Sequence, residues 1–504
     1  MIATGSRFAA ALLAAASLAP AALAQSLRIG LTEDVDTLDP VQGRTLGGRQ
    51  VFAALCDKLF DIDQDVNIVG RLATSHETSA DGLTVTLRLR GGVVFHDGTK
   101  FDAAAVKANL ERALTIPESA RMGDIRAVDK VEAVDASTVR SARKEPFAPL
   151  LAQLADRPGM MGSPRAAAAT DAKTFGGQPV CSGPFRFVER VVQDRIVLER
   201  FPDYWNKGAI GFDRVTYLPM PDATVRLNNL FSGQLDLIEQ VATADLARVR
   251  ADQRFKISSI TGLSHFHLLF NVGNGAAADN PFGKNPKLRQ AIEAAIDRDV
   301  INRVVFGGEF VPGNQPVPPN SRYYAKSHPV PKRDLARAKA LLAESGQPSP
   351  TLSMIVINGP VFLQVGQVIQ SMLGEAGIKV TMQPMEANTG TAQVTAGNFQ
   401  LFSTFWSGRA DPDGNIFPYL GCAGSQNLGK YCRKEVDDQL NVAGRDSAPE
   451  KRAEYYAKAA DLYLADLPTV FLYHATWFYA HRAGLEGFKP IPDGLMRVEG
   501  VKLK

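Results

Sequence analysis

The chain has 504 residues, of which 45% are hydrophobic and 22% charged, and its formal net charge is +3. These values are typical of a globular protein with two or three domains. The small net charge argues against a basic surface that tracks phosphates, so no nucleic-acid partner is predicted.

The first 24 residues have the pattern of a secretory signal peptide. Arg7 is the only charged residue, an apolar run extends from Phe8 to Leu18, and Ala22 and Ala24 fit the small-x-small cleavage rule. The alternative is a disordered N-terminus. No later stretch has the roughly eighteen apolar residues that a membrane span requires. We therefore expect cleavage after Ala24 and a mature protein in the periplasm.

The first half of the mature chain is rich in short strands. Leu83 to Leu89 alternates strictly between apolar and polar residues, which predicts a half-buried strand. Asp102 is the predicted N-cap of a helix over residues 103–114. Two further strands, at residues 183–188 and 195–199, are predicted to pair as a hairpin.

Beyond Asn271 the pattern changes to alternating helices and strands, which is typical of an α/β lobe. The predicted helices cover residues 286–306, 333–345, 365–376 and 449–467, and the predicted strands cover 352–357, 379–384 and 469–473.

One stretch of this second half has the features of a binding loop. Leu401 to Trp406 is aromatic or β-branched without a breaker, which predicts a strand. The segment from Asp411 to Gly414 has strong turn chemistry. A stiff strand would thus deliver Trp406, Arg409 and two carboxylates to one loop, as binding sites often do. An ordinary strand end followed by a turn is the alternative.

Four cysteines remain, and an even number in an exported chain favours disulfides. Three connectivities are possible. The simplest joins Cys422 to Cys432, ten residues apart, and leaves Cys56 with Cys181. Free buried thiols are the alternative. No pair has the C-x-x-C spacing of redox or zinc sites.

The chain carries no recognised catalytic or cofactor-binding signature among the hydrolase, zinc-protease and P-loop motifs. His265 and His267 would share one face of a strand, but no third metal ligand can be named, and a core or solvated pair is the simpler interpretation. We predict no metal, no cofactor and no enzymatic activity. An exported hydrolase with an unmarked carboxylate pair remains the alternative.

Several segments together resemble the extracellular solute-binding proteins of the peptide/nickel/opine group, which serve ABC importers. They occur in the order of that family and cover nearly the whole mature chain: Val94–Asp102, Val106–Arg112, Ser182–Val188, Leu198–Trp205, Leu230–Ile238, Phe270–Val272 and Leu288–Arg298.

The resemblance implies an α/β, two-lobed clamshell with an extra subdomain in the first lobe. The first lobe would comprise residues 25–268 and 475–504, with the subdomain at about 60–175, and the second lobe residues 269–474. Two crossings, near residues 268–271 and 471–475, would form the hinge. The implied partners are a small-molecule ligand and an inner-membrane ABC permease, and the protein is expected to be a monomer. Chemoreception is an alternative role on the same fold.

The resemblance also places the segment from Phe405 to Asp413 at the ligand cleft. Peptide-binding members carry an aspartate a few residues after the tryptophan, whereas this chain has Arg409. A buried arginine favours a carboxylate or phosphate. The expected ligand is therefore a small carboxylated solute, peptide-like or opine-like, with a metal chelate or haem as the alternative. The expected contacts are Phe405, Trp406, Ser407, Gly408, Arg409, Asp411 and Arg44.

Overall fold

The computed structural model describes residues 25–504, with the side chains of residues 387 and 388 left aside. The predicted signal peptide and its cleavage after Ala24 fall outside the described residues. No helix in residues 25–504 combines the length and apolar character needed to cross a membrane.

The strands, in chain order, are β1 (Ser26–Leu31), β2 (Phe60–Ile62), β3 (Ile68–Gly70), β4 (Ala73–Thr78), β5 (Thr84–Leu89), β6 (Val128–Asp135), β7 (Thr138–Arg143), β8 (Phe185–Val191), β9 (Arg195–Arg200), β10 (Arg214–Pro219), β11 (Leu237–Ile238), β12 (Phe255–Thr261), β13 (His265–Phe270), β14 (Val311–Pro312), β15 (Thr351–Ile357), β16 (Lys379–Met385), β17 (Leu401–Trp406), β18 (Thr469–His474), β19 (Thr476–Arg482), β20 (Leu485–Glu486) and β21 (Lys502–Leu503).

The α-helices are α1 (Leu46–Leu55), α2 (Ala103–Thr115), α3 (Leu150–Gln153), α4 (Pro164–Ala169), α5 (Ala172–Gly177), α6 (Ala223–Phe231), α7 (Leu246–Arg250), α8 (Pro281–Lys284), α9 (Pro286–Ala295), α10 (Arg298–Phe306), α11 (Leu335–Glu344), α12 (Pro360–Ala376), α13 (Ala387–Thr395), α14 (Asp413–Leu420), α15 (Lys434–Arg445) and α16 (Pro449–Asp466).

The first lobe is built on a seven-stranded mixed sheet of order β12-β19-β11-β1-β10-β9-β8. Its central strand β1 runs parallel to both β10 and β11, and its side chains Leu27, Ile29 and Leu31 are fully buried. The strand β19 comes from the far end of the chain and pairs antiparallel with β12 and β11. The first lobe is therefore discontinuous in sequence.

A separate four-stranded antiparallel sheet, β4-β5-β7-β6, belongs to the same half of the chain. Val85, Leu87 and Leu89 of β5 are buried, as the alternation at Leu83–Leu89 predicts, and pack into a core with α2. The helix α2 begins after Asp102, whose side chain accepts a hydrogen bond from the backbone N–H of Ala105, so the predicted N-cap is confirmed.

The second lobe is built on a six-stranded sheet of order β14-β18-β13-β17-β15-β16. The helices α9, α11 and α12 pack with β13, β15 and β17 into one apolar core. The predicted helix at residues 286–306 is two helices: Ile296 is extended, and the Asp297 side chain accepts from the N–H of Val300 to begin α10. The capping signal at Asp297 lies inside a continuous apolar pattern, which concealed the break.

The chain crosses between the lobes at residues 262–264, from β12 to β13, and at Ala475, from β18 to β19. The expected boundary at residue 268 falls inside β13, which pairs with β17 along all six of its residues and so belongs to the second sheet. The other expected crossing, at residues 471–475, includes Ala475.

The two lobes also contact each other directly, outside these crossings. The backbone N–H of Ala148 in the first lobe donates to the carbonyl of Gly444 in the second at 2.8 Å. Arg445 and Glu145 form an ion pair at 2.8 Å across the same seam. Ala410 of the second lobe packs against the core that contains β5 and α2.

Candidate functional site

The loop after β17 packs at its start against residues 262–264, where the chain passes from the first lobe to the second. Gly408 has φ +87°, and a Cβ at this position would lie 2.4 Å from the backbone of Leu263. Only glycine fits this contact without displacing the crossing. The loop that carries Arg409 is therefore fixed directly against the segment that joins the two lobes.

Arg409 folds back over Trp406, with its guanidinium carbon 4.4 Å from the centre of the indole ring. Its Nη1 donates to the carbonyl of Gly408 at 2.8 Å and lies 3.4 Å from Oγ of Ser407. No carboxylate in residues 25–504 lies within ion-pairing distance of this guanidinium. Arg409 thus has no direct ion-pair partner, although the charge of Asp156 attracts it from across the cleft.

Three arginines of the first lobe face this charge; together with Arg409 they form what we call the arginine cluster. Arg49 makes two parallel bonds to Asp156, at 3.1 and 3.2 Å. Arg157 lies 3.8 Å from the same carboxylate, and Arg121 pairs with Asp124 at 2.8 Å. Four guanidinium groups thus face two carboxylates, which leaves a surplus of two positive charges.

The pKa shifts in the arginine cluster reflect burial and mutual repulsion. Burial, together with Arg121, Arg49 and Arg409 and against the attraction of Asp156, lowers the pKa of Arg157 to about 9. Burial also lowers the pKa of Arg409, against the attraction of Asp156 and with a further contribution from Arg49. The buried Nε atoms of Arg121 and Arg157 have no hydrogen-bond partner among the described residues. An anion between the lobes would relieve this repulsion.

Asp411 lines the cleft beside Arg409, but its carboxylate is already engaged. Both of its oxygens accept bonds from Arg452, at 2.6 and 2.8 Å, and one also accepts the backbone N–H of Asp413. Both charged residues are buried. The structure therefore gives Asp411 an internal ion pair that supports the loop.

The other expected contact residues occupy different positions. Trp406 and Ser407 lie between the cleft and a groove in the second lobe, and Phe405 is 47% exposed at the end of β17. Gly408 and Arg409 line the cleft itself. Arg44 is exposed and is not brought to this lining; the adjacent carbonyl of Gly43 accepts bonds from Arg121 and Arg157 instead.

The first-lobe arginines and Asp156 were missed from the sequence. A signal was present in α1, where Arg49 interrupts an otherwise uncharged, buried helix, and in the Arg157-Pro-Gly turn, which carries a charge at a buried position. Neither signal indicates which residues of the second lobe face these arginines in the folded protein.

The histidine pair and the cysteines lie outside the cleft lining. Nδ1 of His265 lies 3.1 Å from Nδ1 of His267, both rings are fully buried, and burial lowers the pKa of His267 to about 3. Within residues 25–504 no group of three potential metal ligands is found. Cys56 is bonded to Cys181, and Cys422 to Cys432.

Comparison with known proteins agrees with this architecture. The family model described as "Bacterial extracellular solute-binding proteins, family 5 Middle" matches residues 67–427. The glutathione-binding protein GsiB of Pectobacterium atrosepticum is 31% identical over 509 residues, which cover 98% of this chain and 97% of that protein. GsiB of Salmonella typhimurium is 29% identical over 498 residues, with 96% of each chain covered.

Two solved structures have the same fold along the chain. The PBP AgaA from A. tumefaciens, in complex with agropinic acid, has a TM-score of 0.81 and 27% identity, and the match covers 95% of this chain and 99% of AgaA. The periplasmic binding protein DppA of Helicobacter pylori, in complex with the peptide STSA, has a TM-score of 0.80 and 25% identity, with 95% and 98% covered. The chain therefore belongs to family 5 of the bacterial extracellular solute-binding proteins, the binding components of ABC importers.

Proposed function

We propose that the protein captures a small solute bearing a carboxylate and delivers it to a membrane permease. The observation that supports this ligand class is the arginine cluster, in which Arg409 lacks a carboxylate partner and faces Arg49 and Arg157 across the cleft. A guanidinium binds a carboxylate through two parallel charge-assisted hydrogen bonds. Of the proteins named above, GsiB is a glutathione-binding protein, AgaA was solved with agropinic acid and DppA with the peptide STSA, and all three ligands carry a carboxylate group.

An N-terminal ammonium group fits this cleft less well. The carboxylates that line it are paired: Asp156 with Arg49, Asp411 with Arg452, and Asp493 with Arg497. An ammonium would have to displace one of these partners and approach the surplus positive charge of the arginine cluster. We therefore place a carboxylate, and not the amine of a peptide, beside Arg409.

The proposal extends to the working cycle of the protein. The lobes would open and close about the crossings at residues 262–264 and at Ala475, with the first lobe at residues 25–261 and 476–504 and the second at 265–474. The closed form would dock on the permease as a monomer in the periplasm after cleavage at Ala24. The protein would release its ligand unchanged, without catalysis.

The test begins with mass spectrometry of the solute released when purified protein is denatured. That solute, glutathione and agropinic acid are then titrated calorimetrically into the parent protein and Arg409→Ala. Loss of a desolvated charge-assisted pair should weaken binding by about 2–5 kcal/mol. Arg44→Ala, which removes an exposed arginine of the other lobe, is the matched control and should bind as the parent does. Equal affinity of Arg409→Ala and parent would contradict the proposal.

A further inference from the structure

One end of the seven-stranded sheet concentrates positive charge. The strands β1, β11 and β12 begin at this end and β19 ends there, because Phe255 lies opposite Arg482 and Leu237 lies opposite His481. The terminal hairpin of β20 and β21 follows directly after β19. Six basic residues, five of them exposed and the first half-buried, form what we call the basic pole: Arg28, Arg254, Lys256, Arg482, Lys502 and Lys504.

The basic pole contains twice as many cations as carboxylates. Arg28 and Arg482 both bind Asp236, at 2.9 and 3.2 Å, so two guanidinium groups share one carboxylate. The two other carboxylates pair with one cation each: Asp252 with Arg254 at 2.7 Å, and Glu486 with Lys504 at 2.6 Å. The resulting surplus of three positive charges is as large as the formal net charge of the entire chain.

Lys256 and Lys502 carry the part of this surplus that has no ion-pair partner. Both residues are exposed, and neither ammonium lies within ion-pairing distance of a carboxylate in residues 25–504. The hydrogen bond from Lys504 lowers the pKa of Glu486, and the more distant charges of Lys502 and Lys256 lower it further. These two lysines can therefore attract an external anion without breaking an ion pair of the protein.

The basic pole lies at the end of the first lobe that is opposite the crossings. The seven residues of β12 lead from Phe255 at the basic pole to Thr261 beside the first crossing, a span of about 20 Å. Exposed charges at this separation are screened from each other, since the Debye length is about 8 Å at physiological ionic strength. The basic pole is therefore independent of the arginine cluster in the cleft.

A broad anionic surface matches the basic pole better than one small anion. None of its six residues lines the cleft or the groove of the second lobe. They come from separate strands and from the terminal hairpin, so their charges are spread over one end of the lobe. A phospholipid bilayer with anionic headgroups attracts such a cluster, and each lysine or arginine close to its surface adds to the attraction.

We propose that the basic pole docks the protein reversibly on the anionic phospholipid surface of the membrane that holds the permease. The first lobe then rests on lipid by one end of its sheet, and the cleft is directed away from the membrane. Solute can enter the cleft while the protein stays near the permease. The contact is electrostatic and screened by salt, so the protein can leave the lipid to deliver its solute. This inference goes beyond the proposed function and does not depend on which solute is bound.

Co-sedimentation of the purified protein with protein-free vesicles tests the proposal. One set of vesicles is phosphatidylcholine alone, and the other contains about one-third phosphatidylglycerol. At low salt the anionic vesicles should bind the protein about tenfold more strongly or better, and high salt should abolish the difference. Equal binding to both sets, or no binding to the anionic vesicles at low salt, would overturn the proposal.

Charge reversal identifies the surface. Lys256→Glu combined with Lys502→Glu converts the surplus of three positive charges into an excess of one negative charge, so binding to anionic vesicles should fall about tenfold or more. The matched control is Lys326→Glu with Lys339→Glu, which reverses two exposed lysines of the second lobe that have no ion pair among the described residues. This control should keep most of the binding. An equal loss in both double variants would show that net charge alone is responsible.

Hydrogen exchange tests the orientation on the vesicle. Exchange in the bound protein should slow at residues 254–256 and 482–486 and stay unchanged in α15 of the second lobe. Protection confined to the second lobe would contradict the proposed orientation. Binding that requires vesicles carrying the permease would mean that the basic pole recognises an acidic protein surface, and the lipid assignment would fail.

Solute affinity separates this inference from the proposed function. The Lys256→Glu/Lys502→Glu variant should bind solute as the parent does, because the basic pole lies about 20 Å from the crossings. If vesicle binding is absent while solute binding depends on Arg409, the docking surface fails and the proposed function stands. If vesicle binding depends on the basic pole while solute binding does not depend on Arg409, the reverse holds.

Discussion

Asn415 holds both Arg409 and Trp406 through one side-chain amide. Its Oδ1 accepts the backbone N–H of Arg409 at 2.7 Å and the indole N–H of Trp406 at 3.1 Å, and its Nδ2 donates to the carbonyl of Arg409 at 2.8 Å. Asn415 is 2% exposed. The two residues proposed to contact the ligand are thus fixed from behind before any ligand arrives.

Asn415→Ala should therefore reduce both stability and affinity. Three hydrogen bonds are lost and the backbone N–H of Arg409 is left without a partner, whereas the indole N–H of Trp406 keeps its bond to the carbonyl of Gly414. The free energy of unfolding should therefore fall by about 1–3 kcal/mol. Ligand affinity, measured by calorimetry below the unfolding transition, should fall as the loop becomes mobile. Asn441→Ala, which removes a surface helix contact, is the control. An unchanged affinity would show that Asn415 does not position Arg409.

The Asp411–Arg452 pair should matter for stability more than for ligand recognition. Arg452→Met leaves the buried Asp411 without its partner and should cost about 3–5 kcal/mol, measured by denaturant unfolding. Adding Asp411→Asn should restore part of this loss, because the uncompensated charge is then removed. A larger loss in the double variant than in Arg452→Met would show that Asp411 has another stabilising partner.

Asp413 should make the free energy of unfolding depend on pH. Burial, with a further contribution from Asp411, raises the pKa of this carboxyl from 3.8 to about 7. Because the folded protein holds the proton more tightly than the unfolded chain, this contribution to stability is fully present below about pH 4 and is lost as the pH rises to about 7.

Asp413→Asn should flatten this dependence and stabilise the protein at pH 8 by about 1–3 kcal/mol relative to the parent. Denaturant unfolding at pH 5 and pH 8 measures the difference between the two proteins. The control is Asp446→Asn, a nearby substitution that should change the free energy of unfolding by the same amount at pH 5 and at pH 8. A parent protein equally stable at both pH values would be inconsistent with the raised pKa.

The two disulfides should contribute unequally. The Cys56–Cys181 bond closes a segment of 125 residues, and the Cys422–Cys432 bond one of 10. In the chain-entropy model, the disulfide that closes the longer loop stabilises the folded protein by about 5 kcal/mol, and the disulfide that closes the shorter loop by about 3 kcal/mol. Paired Cys→Ser variants, compared by thermal unfolding under non-reducing conditions, test this order. A greater loss for the shorter loop would point to a specific packing role there.

The closing contact between Arg445 and Glu145 should contribute little. Both side chains are 52% exposed, and exposed ion pairs contribute about 0.2–1 kcal/mol. Arg445→Ala should therefore weaken ligand binding by less than about fivefold, and the effect should shrink in high salt. A larger effect would identify this seam as a principal determinant of closure.

Local sequence patterns predicted the elements whose signals are local. The strand β17 is confirmed at Leu401–Trp406, where aromatic and β-branched residues run without a breaker and Ser407 and Gly408 follow its end. The N-cap at Asp102 and the hairpin of β8 and β9 are also found. The strand-and-turn pattern placed Arg409 in a candidate binding loop, and the aspartate that peptide-binding members carry near this position made its positive charge an indication of an anionic ligand.

The remainder of the site depends on contacts between distant parts of the chain. Arg49 and Arg157 come from the first lobe and meet Arg409 only when the lobes pack. From the sequence, Asp411 resembles a polar residue that contacts a ligand. In the fold it is paired instead with Arg452, which lies 41 residues later in the chain. No spacing rule relates these pairs, because the topology of the fold sets their distance.

The position of β19 has a consequence for the order of folding. This strand lies between β12 and β11 in the seven-stranded sheet, yet it is made from residues 476–482. During synthesis or translocation, β12 has no neighbour in its sheet until almost the entire chain has emerged. The second lobe is continuous and can assemble earlier. A chain interrupted before residue 476 would therefore hold a finished second lobe beside a first lobe with an open, aggregation-prone sheet edge.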